Sequence, residues 1–154
     1  RQFEEGVPAE KLREQLCFGL RPFAREFLRQ LKPFCELIIF TAASQQYADL
    51  VIDAVDEEGL VDHRLYRQHT RECGGRLVKD ISYLGRDLRR VIILDNTPEN
   101  FALQSQNGVY VKSWVGDPTD KCLAWLLPIF LDIARNPTAD VRDVLDEIKE
   151  MLKK

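Results

Sequence analysis

The chain is 154 residues long, with a formal net charge of -3, 45% hydrophobic residues and 31% charged residues. This length predicts a single domain with a sizeable core, and the charge excludes the basic surface by which proteins bind nucleic acid directly. The longest apolar run, around residues 123–131, is too short to span a bilayer. Four widely spaced cysteines indicate free thiols of a reducing, intracellular compartment, although the sequence also allows one disulfide.

The N-terminal part of the chain begins with charged residues and carries no signal-peptide pattern, which is typical of an internal start. We expect a helical lead-in over residues 8–15 and a short apolar strand over residues 16–20. Pro22 then opens a helix and Pro33 stops it. The apolar stripe of this helix consists of Phe23, Phe27, Leu28 and Leu31.

A strand, a helix and a hairpin follow. Residues 37–40 predict a buried strand that ends at Thr41, and Gly59 ends the helix after it. The apolar stripe of that helix consists of Tyr47, Leu50, Val51, Ala54 and Val55. Residues 64–79 change character, because short β-type segments flank two adjacent glycines. This pattern predicts a β-hairpin inserted between α/β units, with its turn at Gly74-Gly75.

The C-terminal half returns to alternating strands and helices. Strands are predicted over residues 91–94 and 109–111, with a short helical piece near 99–103 and a turn at Asn107-Gly108. The apolar run over residues 119–135 predicts a buried helix bent at Pro128.

Thr138 is expected to cap a final amphipathic helix. Its stripe consists of Val141, Val144, Leu145, Ile148 and Leu152. The alternation along the chain predicts an α/β fold, a parallel sheet with helices on both faces.

The most informative candidate site is the end of the strand over residues 91–94. Asp95 and Asn96 follow it directly, and open parallel sheets bind ligands at the carboxyl ends of their strands. Carboxylate and amide oxygens suit a hard cation such as Mg²⁺. The alternative is a plain turn, since Asp, Asn and Pro commonly follow a strand.

Two further polar residues follow predicted strands. The Thr41 hydroxyl can bond an anionic oxygen, although a turn or N-cap role explains it equally simply. Lys79 can neutralise a phosphoryl charge, although most lysines at strand edges are merely solvated. Together with Asp95 and Asn96 they provide what phosphoryl transfer requires, namely positioning and charge neutralisation.

These residues carry a family resemblance that extends over residues 18–145. Residues 40–49 resemble the second motif of the carboxy-terminal-domain phosphatases, the NLI-interacting-factor group of the haloacid dehalogenase superfamily. Residues 79–88 resemble the third motif, with its lysine, and residues 93–98 the fourth, metal-binding motif. Residues 66–69 and 112–120 are most similar to the Dullard branch, the nuclear-envelope phosphatases.

The resemblance implies a haloacid-dehalogenase-like domain that hydrolyses phosphoserine and phosphothreonine in proteins through a phospho-aspartyl intermediate, using Mg²⁺. Thr41, Ala42 and Lys79 would bind phosphate, with Thr41 and Lys79 as the catalytic pair. Asn96 would ligate Mg²⁺, and Asp95 would ligate it or orient beside it. The hairpin would shape the substrate groove. The Dullard similarity implies a nuclear, nuclear-envelope or endoplasmic-reticulum location.

Tyr66 would border the substrate groove that the hairpin shapes.

One family feature is absent from the sequence. The nucleophile motif Asp-x-Asp-x-Thr occurs nowhere in residues 1–154. Without it there is no carboxylate nucleophile and no general acid, one metal ligand is lost, and the sheet lacks a central strand. We therefore expect residues 1–154 to form a single phosphatase-like domain without its nucleophile strand, either as part of a longer enzyme or as an inactive relative.

Two other functions remain compatible with the sequence. A catalytically dead binding module is one, because the same branch includes a mitochondrial import receptor subunit with a phosphatase-like fold. In that case the hairpin would be the working surface. A metabolite phosphatase is the weaker alternative, since the chain shows no large cap segment. The sequence leaves the oligomeric state open.

Overall fold

A computed structural model describes residues 19–152, and the side chains of residues 19–150. The α-helices are α1 Ala24–Leu31, α2 Gln45–Val55, α3 Cys122–Arg135 and α4 Val141–Leu152. The strands are β1 Ile38–Phe40, β2 His63–Leu65, β3 Arg71–Cys73, β4 Arg76–Val78, β5 Ile93–Asp95 and β6 Gly108–Tyr110. Short 3-10 segments occupy Arg67–His69, Ile81–Leu84, Leu88–Arg90 and Pro98–Asn107. The predicted elements over residues 8–18 lie outside the described residues, and residues 19–20 are not in a strand.

The strands form two parallel pairs and one hairpin. β1 pairs in parallel with β2, with Ile38 opposite His63, and β5 pairs in parallel with β6, with Ile93 opposite Gly108. β3 and β4 form an antiparallel hairpin. Within residues 19–152, the two parallel pairs are not hydrogen-bonded to each other. Parallel strands joined by helices confirm the predicted α/β class.

Helical segments cover both faces of the β5–β6 pair. Successive side chains of a strand point to opposite faces, so the apolar residues of this pair divide between two sides. On one face, Leu94 and Val109 pack against the main core. The buried members of that core are Phe27, Leu31, Leu123, Leu127, Phe130, Ile133, Val141 and Leu145. On the other face, Ile93 packs with Ile81 and Phe101, which belong to 3-10 segments. The strand that ends at Asp95 is therefore held from both sides.

Within residues 19–152, the longer helices lie approximately where the sequence predicted them, but several details differ. Pro22 precedes α1 in a turn, and Phe23 is the N-cap, exposed and with φ 70°, rather than part of the apolar stripe. In α2 the buried residues are Ala48 and Ile52, whereas the predicted stripe member Ala54 is exposed. The buried side of α2 is the side that packs against Ile39 of β1 and Tyr66. The spacing of apolar residues alone did not identify that side.

Two further helix boundaries differ from expectation. α3 starts at Cys122, three residues later than predicted, and continues through Pro128. Thr138 does not cap α4. Instead, the Asp140 carboxylate accepts the backbone N–H of Arg142 in the first turn.

The hairpin is shorter than predicted. Only residues 71–78 form it, around Gly74 and Gly75, which both have positive φ as a tight two-residue turn requires. Leu65 belongs to β2 and pairs with Phe40, because a parallel partner is available there. The expected turn at Asn107-Gly108 is also wrong, since Gly108 has φ -91° and starts β6 directly.

Within residues 19–152, none of the helices has the length and hydropathy of a membrane-spanning segment. Cys35, Cys73 and Cys122 are free thiols in the described part of the chain.

Candidate active site

Lys79 and Asp95 meet in a buried ion pair. Lys79 follows β4 and Asp95 ends β5, and the two elements bring Lys79 Nζ to 2.6 Å from Asp95 Oδ2. Their side chains are only 12% and 5% exposed. A lysine so enclosed is not an ordinary solvated strand-edge residue, because taking its charge out of water has a cost that its position must offset.

The Asp95 carboxylate accepts hydrogen bonds on both oxygens. Oδ1 accepts the backbone N–H of Thr97 at 2.9 Å and the Asn100 amide at 3.2 Å. Oδ2 accepts the same Asn100 amide at 3.3 Å and the Lys79 ammonium. With this set of donors, Asp95 orients Lys79, and its proposed role as a metal ligand stays a prediction.

Asn96 presents its amide in one orientation. Its Nδ2 donates to Ser113 Oγ at 3.0 Å, whereas its Oδ1 has only a weak contact of 3.5 Å from the Thr97 hydroxyl. The residue is exposed. Because the nitrogen is turned towards Ser113, the carbonyl oxygen is left available at the end of β5, as an oxygen ligand for a cation would need to be.

Thr41 lies at the end of β1, on a tight turn. Its backbone N–H donates to the Leu65 carbonyl at 2.9 Å, and its hydroxyl oxygen accepts the N–H of Ala43 at 3.0 Å. The Ala42 carbonyl accepts from Arg67 Nε at 2.9 Å. No hydrogen bond within residues 19–152 joins Thr41 to Lys79, Asp95 or Asn96. The structure therefore joins Lys79 to Asp95 directly, with Asn96 next in the chain and bonded to Ser113, and leaves Thr41 on a separate turn.

A groove of about 380 Å³ lies beside these strand ends. Its lining includes Phe40 and Asp80, which are the chain neighbours of Thr41 and Lys79. Further lining residues come from β1, β2 and the segment over residues 83–86. The groove thus lies next to the segments that carry Thr41 and Lys79, but neither of these two residues lines it.

Asp80 anchors the chain directly after Lys79. Its carboxylate accepts hydrogen bonds from Ser82, Gln104 and Arg71. Burial alone would raise the pKa of the Asp80 carboxyl, but these hydrogen bonds outweigh it and hold the pKa below its ordinary value. Asp80 is thus a charged anchor that fixes the backbone next to Lys79.

The described residues supply only part of a magnesium site. No group of three or more His, Cys, Asp or Glu that could hold a metal occurs within residues 19–152. Mg²⁺ takes six oxygen ligands and commonly keeps several waters with one or two carboxylates. The Asn96 side-chain oxygen, which has only a weak contact with Thr97, fits as one such ligand, and the other ligands would have to come from water or from residues elsewhere.

Sequence reasoning misplaced Tyr66 and missed Asn100. Tyr66 is 7% exposed and packs with Ala48 and Ile52, so it belongs to the core rather than bordering the groove. Its hydroxyl donates to Asp49, and this hydrogen bond raises the pKa of the Tyr66 hydroxyl. Asn100 does not belong to any periodic pattern in the sequence that would have identified it. The signal nearest to it is the turn residues at 96–98, which indicate that the chain folds back towards Asp95.

The parallel strand pairs, with Asp95 at the end of β5 paired to the Lys79 that follows the hairpin, are consistent with an α/β domain of the haloacid-dehalogenase-like type. Residues 4–142 match the family described as NLI interacting factor-like phosphatase. The chain belongs to this family, as its motifs predicted, while the nearer similarity to the Dullard branch stays a prediction. Phosphatases of this kind generally depend on a metal ion.

The relatives include both enzymes and a translocase subunit. CTD small phosphatase-like protein 2 of Dictyostelium discoideum is 40% identical over 133 residues, 86% of this chain and 23% of that protein. The mouse (Mus musculus) carboxy-terminal domain RNA polymerase II polypeptide A small phosphatase 2 is 40% identical over 143 residues, 93% of this chain and 52% of that protein.

Mitochondrial import inner membrane translocase subunit TIM50 of Homo sapiens is 41% identical over 129 residues, 84% of this chain and 36% of that protein. The chain thus spans between about a quarter and a half of the length of these relatives.

Proposed function

We propose that this chain is the phosphatase-like domain of a Mg²⁺-dependent protein serine/threonine phosphatase that works through a phospho-aspartyl intermediate. The observation that carries the proposal is the enclosed Lys79–Asp95 pair with Asn96 beside it, in a chain of the phosphatase family. A cation held at a fixed position beside the end of β5 suits the charge of a transferring phosphoryl group.

Each site residue has a role in this proposal. Lys79 balances the phosphoryl charge, and Asp95 holds its ammonium in place. Thr41 and the backbone of Ala42, on the turn after β1, bind phosphoryl oxygens. Asn96 supplies one oxygen to Mg²⁺, which when bound adds positive charge next to the phosphoryl group.

The nucleophile must come from residues other than those of this chain's three motifs. We propose that residues 1–154 form a single domain that lacks its nucleophile strand, and that a longer protein supplies an Asp-x-Asp-x-Thr segment. One observation supports this: the Asp-x-Asp-x-Thr motif is absent from the sequence. The isolated chain is then expected to be inactive.

The experiment is a hydrolysis assay on a phosphoserine peptide with Mg²⁺, comparing the chain alone with the full-length protein. The full-length protein should release phosphate, chelation by EDTA should stop it, and the chain alone should not turn over. An inactive full-length protein that does contain Asp-x-Asp-x-Thr would overturn the enzyme assignment.

A catalytically dead binding module is the second candidate, and the similarity to TIM50 favours it. In this case the hairpin over residues 71–78 would be the binding surface and the ion pair a structural remnant. A full-length protein without an upstream Asp-x-Asp-x-Thr and without turnover would support this candidate.

The physiological substrate would be a phosphoserine or phosphothreonine protein. The names of the relatives do not agree on a compartment: some are carboxy-terminal-domain phosphatases of RNA polymerase II, and others are mitochondrial translocase subunits. The Dullard-like segments make the nucleus or the nuclear envelope our proposal. Fractionation of cells that express the tagged full-length protein tests it, and recovery with mitochondria would contradict it.

A further inference from the structure

Asn100 contacts both members of the buried ion pair, through different atoms. Its side-chain Nδ2 lies 3.2 Å from Asp95 Oδ1 and 3.3 Å from Asp95 Oδ2, so one amide spans the carboxylate. Its backbone carbonyl accepts the N–H of Lys79 at 2.7 Å. The residue is half-buried in the Pro98–Asn107 segment.

These contacts close a ring. The Lys79 backbone is fixed by the Asn100 carbonyl, the Asp95 carboxylate is fixed by the Asn100 amide, and the Lys79 ammonium returns to Asp95 Oδ2 at 2.6 Å. Without the amide, the backbone N–H of Thr97 would be the remaining contact that restrains Asp95 apart from Lys79 itself. That donor reaches Oδ1 alone, so the other oxygen would be free to rotate together with the ammonium.

We propose that Asn100 is a positioning residue, which sets the direction of the Lys79 ammonium by fixing the plane of the Asp95 carboxylate. This inference rests on the proposed phosphatase function, because that function requires the ammonium at one place. Fixed charges stabilise a developing charge without having to reorient during the reaction. A loosened ammonium would still attract the substrate but would stabilise the transition state less.

The experiment compares alanine variants of two asparagines in the same segment of the full-length protein. N100A should lower kcat by about tenfold to a hundredfold, the loss expected for a catalytic group misplaced by about an ångström. KM should change by less than about threefold, as expected when an interaction specific to the transition state is lost. N107A is the matched control, because its amide donates to the carbonyls of Leu88 and Val91 and does not contact the ion pair. N107A should lower the stability but leave kcat per folded molecule unchanged.

A double-mutant cycle separates positioning from a general structural role. In a K79A background, N100A should lower kcat no further, because the group on which it acts is gone. Full multiplicative effects of N100A and K79A on kcat, or an N100A variant that behaves like N107A, would overturn the inference. N100D keeps the size of the side chain but replaces the donor by a negative charge, and it should lower kcat at least as much as N100A.

A second cycle does not depend on activity. Urea unfolding of N100A, D95N and the double variant should give non-additive free energies, since the two side chains share a contact. Additive free energies would overturn the role of Asn100 even in an active enzyme. Absence of turnover in the unmodified full-length protein would instead overturn the proposed function, so the two failures are distinguishable.

Discussion

Two parts of the candidate site are built differently: the corner, which we define as Lys79, Asp95, Asn96 and Asn100, and the turn at Thr41. At the corner, residues that are far apart in sequence hold one another, with Lys79 bonded to Asp95 and Asn96 to Ser113. At the turn, the Thr41 hydroxyl accepts a bond from a residue only two positions away. At the first region the candidate site side chains themselves hold distant parts of the chain together. At the second, the backbone bonds to Leu65 and Arg67 hold the turn, and the Thr41 side chain makes only a local contact.

This difference separates stability from function. Changes at the corner should reduce both the stability of the fold and the activity of the full-length protein, because the same atoms serve both. Changes at Thr41 should affect activity with little effect on stability. The following substitutions break or sharpen that contrast.

D95N is expected to have the largest effect on stability. It leaves the Lys79 ammonium enclosed without a carboxylate, and removing one partner of a buried ion pair costs about 3–5 kcal/mol. Urea unfolding measures this loss. D132N is the matched control, because Asp132 is 81% exposed and lies 4.0 Å from Arg135. Equal unfolding free energies for D95N and D132N would show that the corner does not stabilise the fold.

T41V should leave the fold nearly intact and reduce turnover. It removes a hydroxyl that accepts one local hydrogen bond, worth about 1 kcal/mol of stability. If that hydroxyl also binds a phosphoryl oxygen, kcat of the full-length protein should fall about a hundredfold, as for other donors to a developing negative charge. T41S keeps the hydroxyl and should retain activity. A T41V variant with unchanged kcat would show that the Thr41 hydroxyl only stabilises the turn.

S113A tests the orientation of Asn96. Without the Ser113 hydroxyl, the Asn96 amide loses the acceptor that fixes the direction of its nitrogen. The Mg²⁺ concentration for half-maximal activity should rise about tenfold, as is typical when a residue that orients a metal ligand is lost. Titration of the full-length protein with Mg²⁺ measures this, with S113T as the hydroxyl-bearing control. If the Mg²⁺ titration curve of S113A equals that of the unmodified protein, Ser113 does not orient Asn96.

The smallest effect concerns the start of α4. The hydrogen bond from the Arg142 side chain lowers the pKa of Asp140 from 3.8 to about 2. Because the folded-state pKa is lowered, this contribution to stability is present above about pH 4 and is lost as the pH falls towards 2. D140N should flatten this part of the stability–pH curve, whereas T138A should not. A D140N curve that keeps the wild-type slope between these pH values would show that the Asp140 carboxyl does not cause it.

The sequence predicted the parts of the fold that depend on local pattern. Apolar runs identified β1 and β5, and polar residues at predicted strand and hairpin ends suggested that Thr41, Lys79 and the Asp95–Asn96 pair converge. Of these, Lys79 and Asp95 are in contact. The pairing of Leu65 with Phe40 was missed, because β2 is decided by a distant partner rather than by its own three residues. The hairpin was overextended for the same reason.

The supporting contacts of the site were less predictable than its charged residues. Asn100 and Ser113 act through hydrogen bonds to residues that are 5 and 17 positions away. Nothing in their own sequence surroundings distinguishes these polar residues from ordinary turn residues. Their partners follow only from the way the Pro98–Asn107 segment and the chain after β6 pack against β5.

The most direct test of the central claim is the kcat of K79A in the full-length protein, measured on a phosphoserine peptide with Mg²⁺. K32A is the control, because Lys32 also forms an ion pair, with Asp62, away from the strand ends. We predict that K79A lowers kcat by about a thousandfold, as expected for the loss of a fixed charge at a transferring phosphoryl group, and that K32A keeps it. A folded K79A variant with the kcat of the unmodified protein would contradict the account.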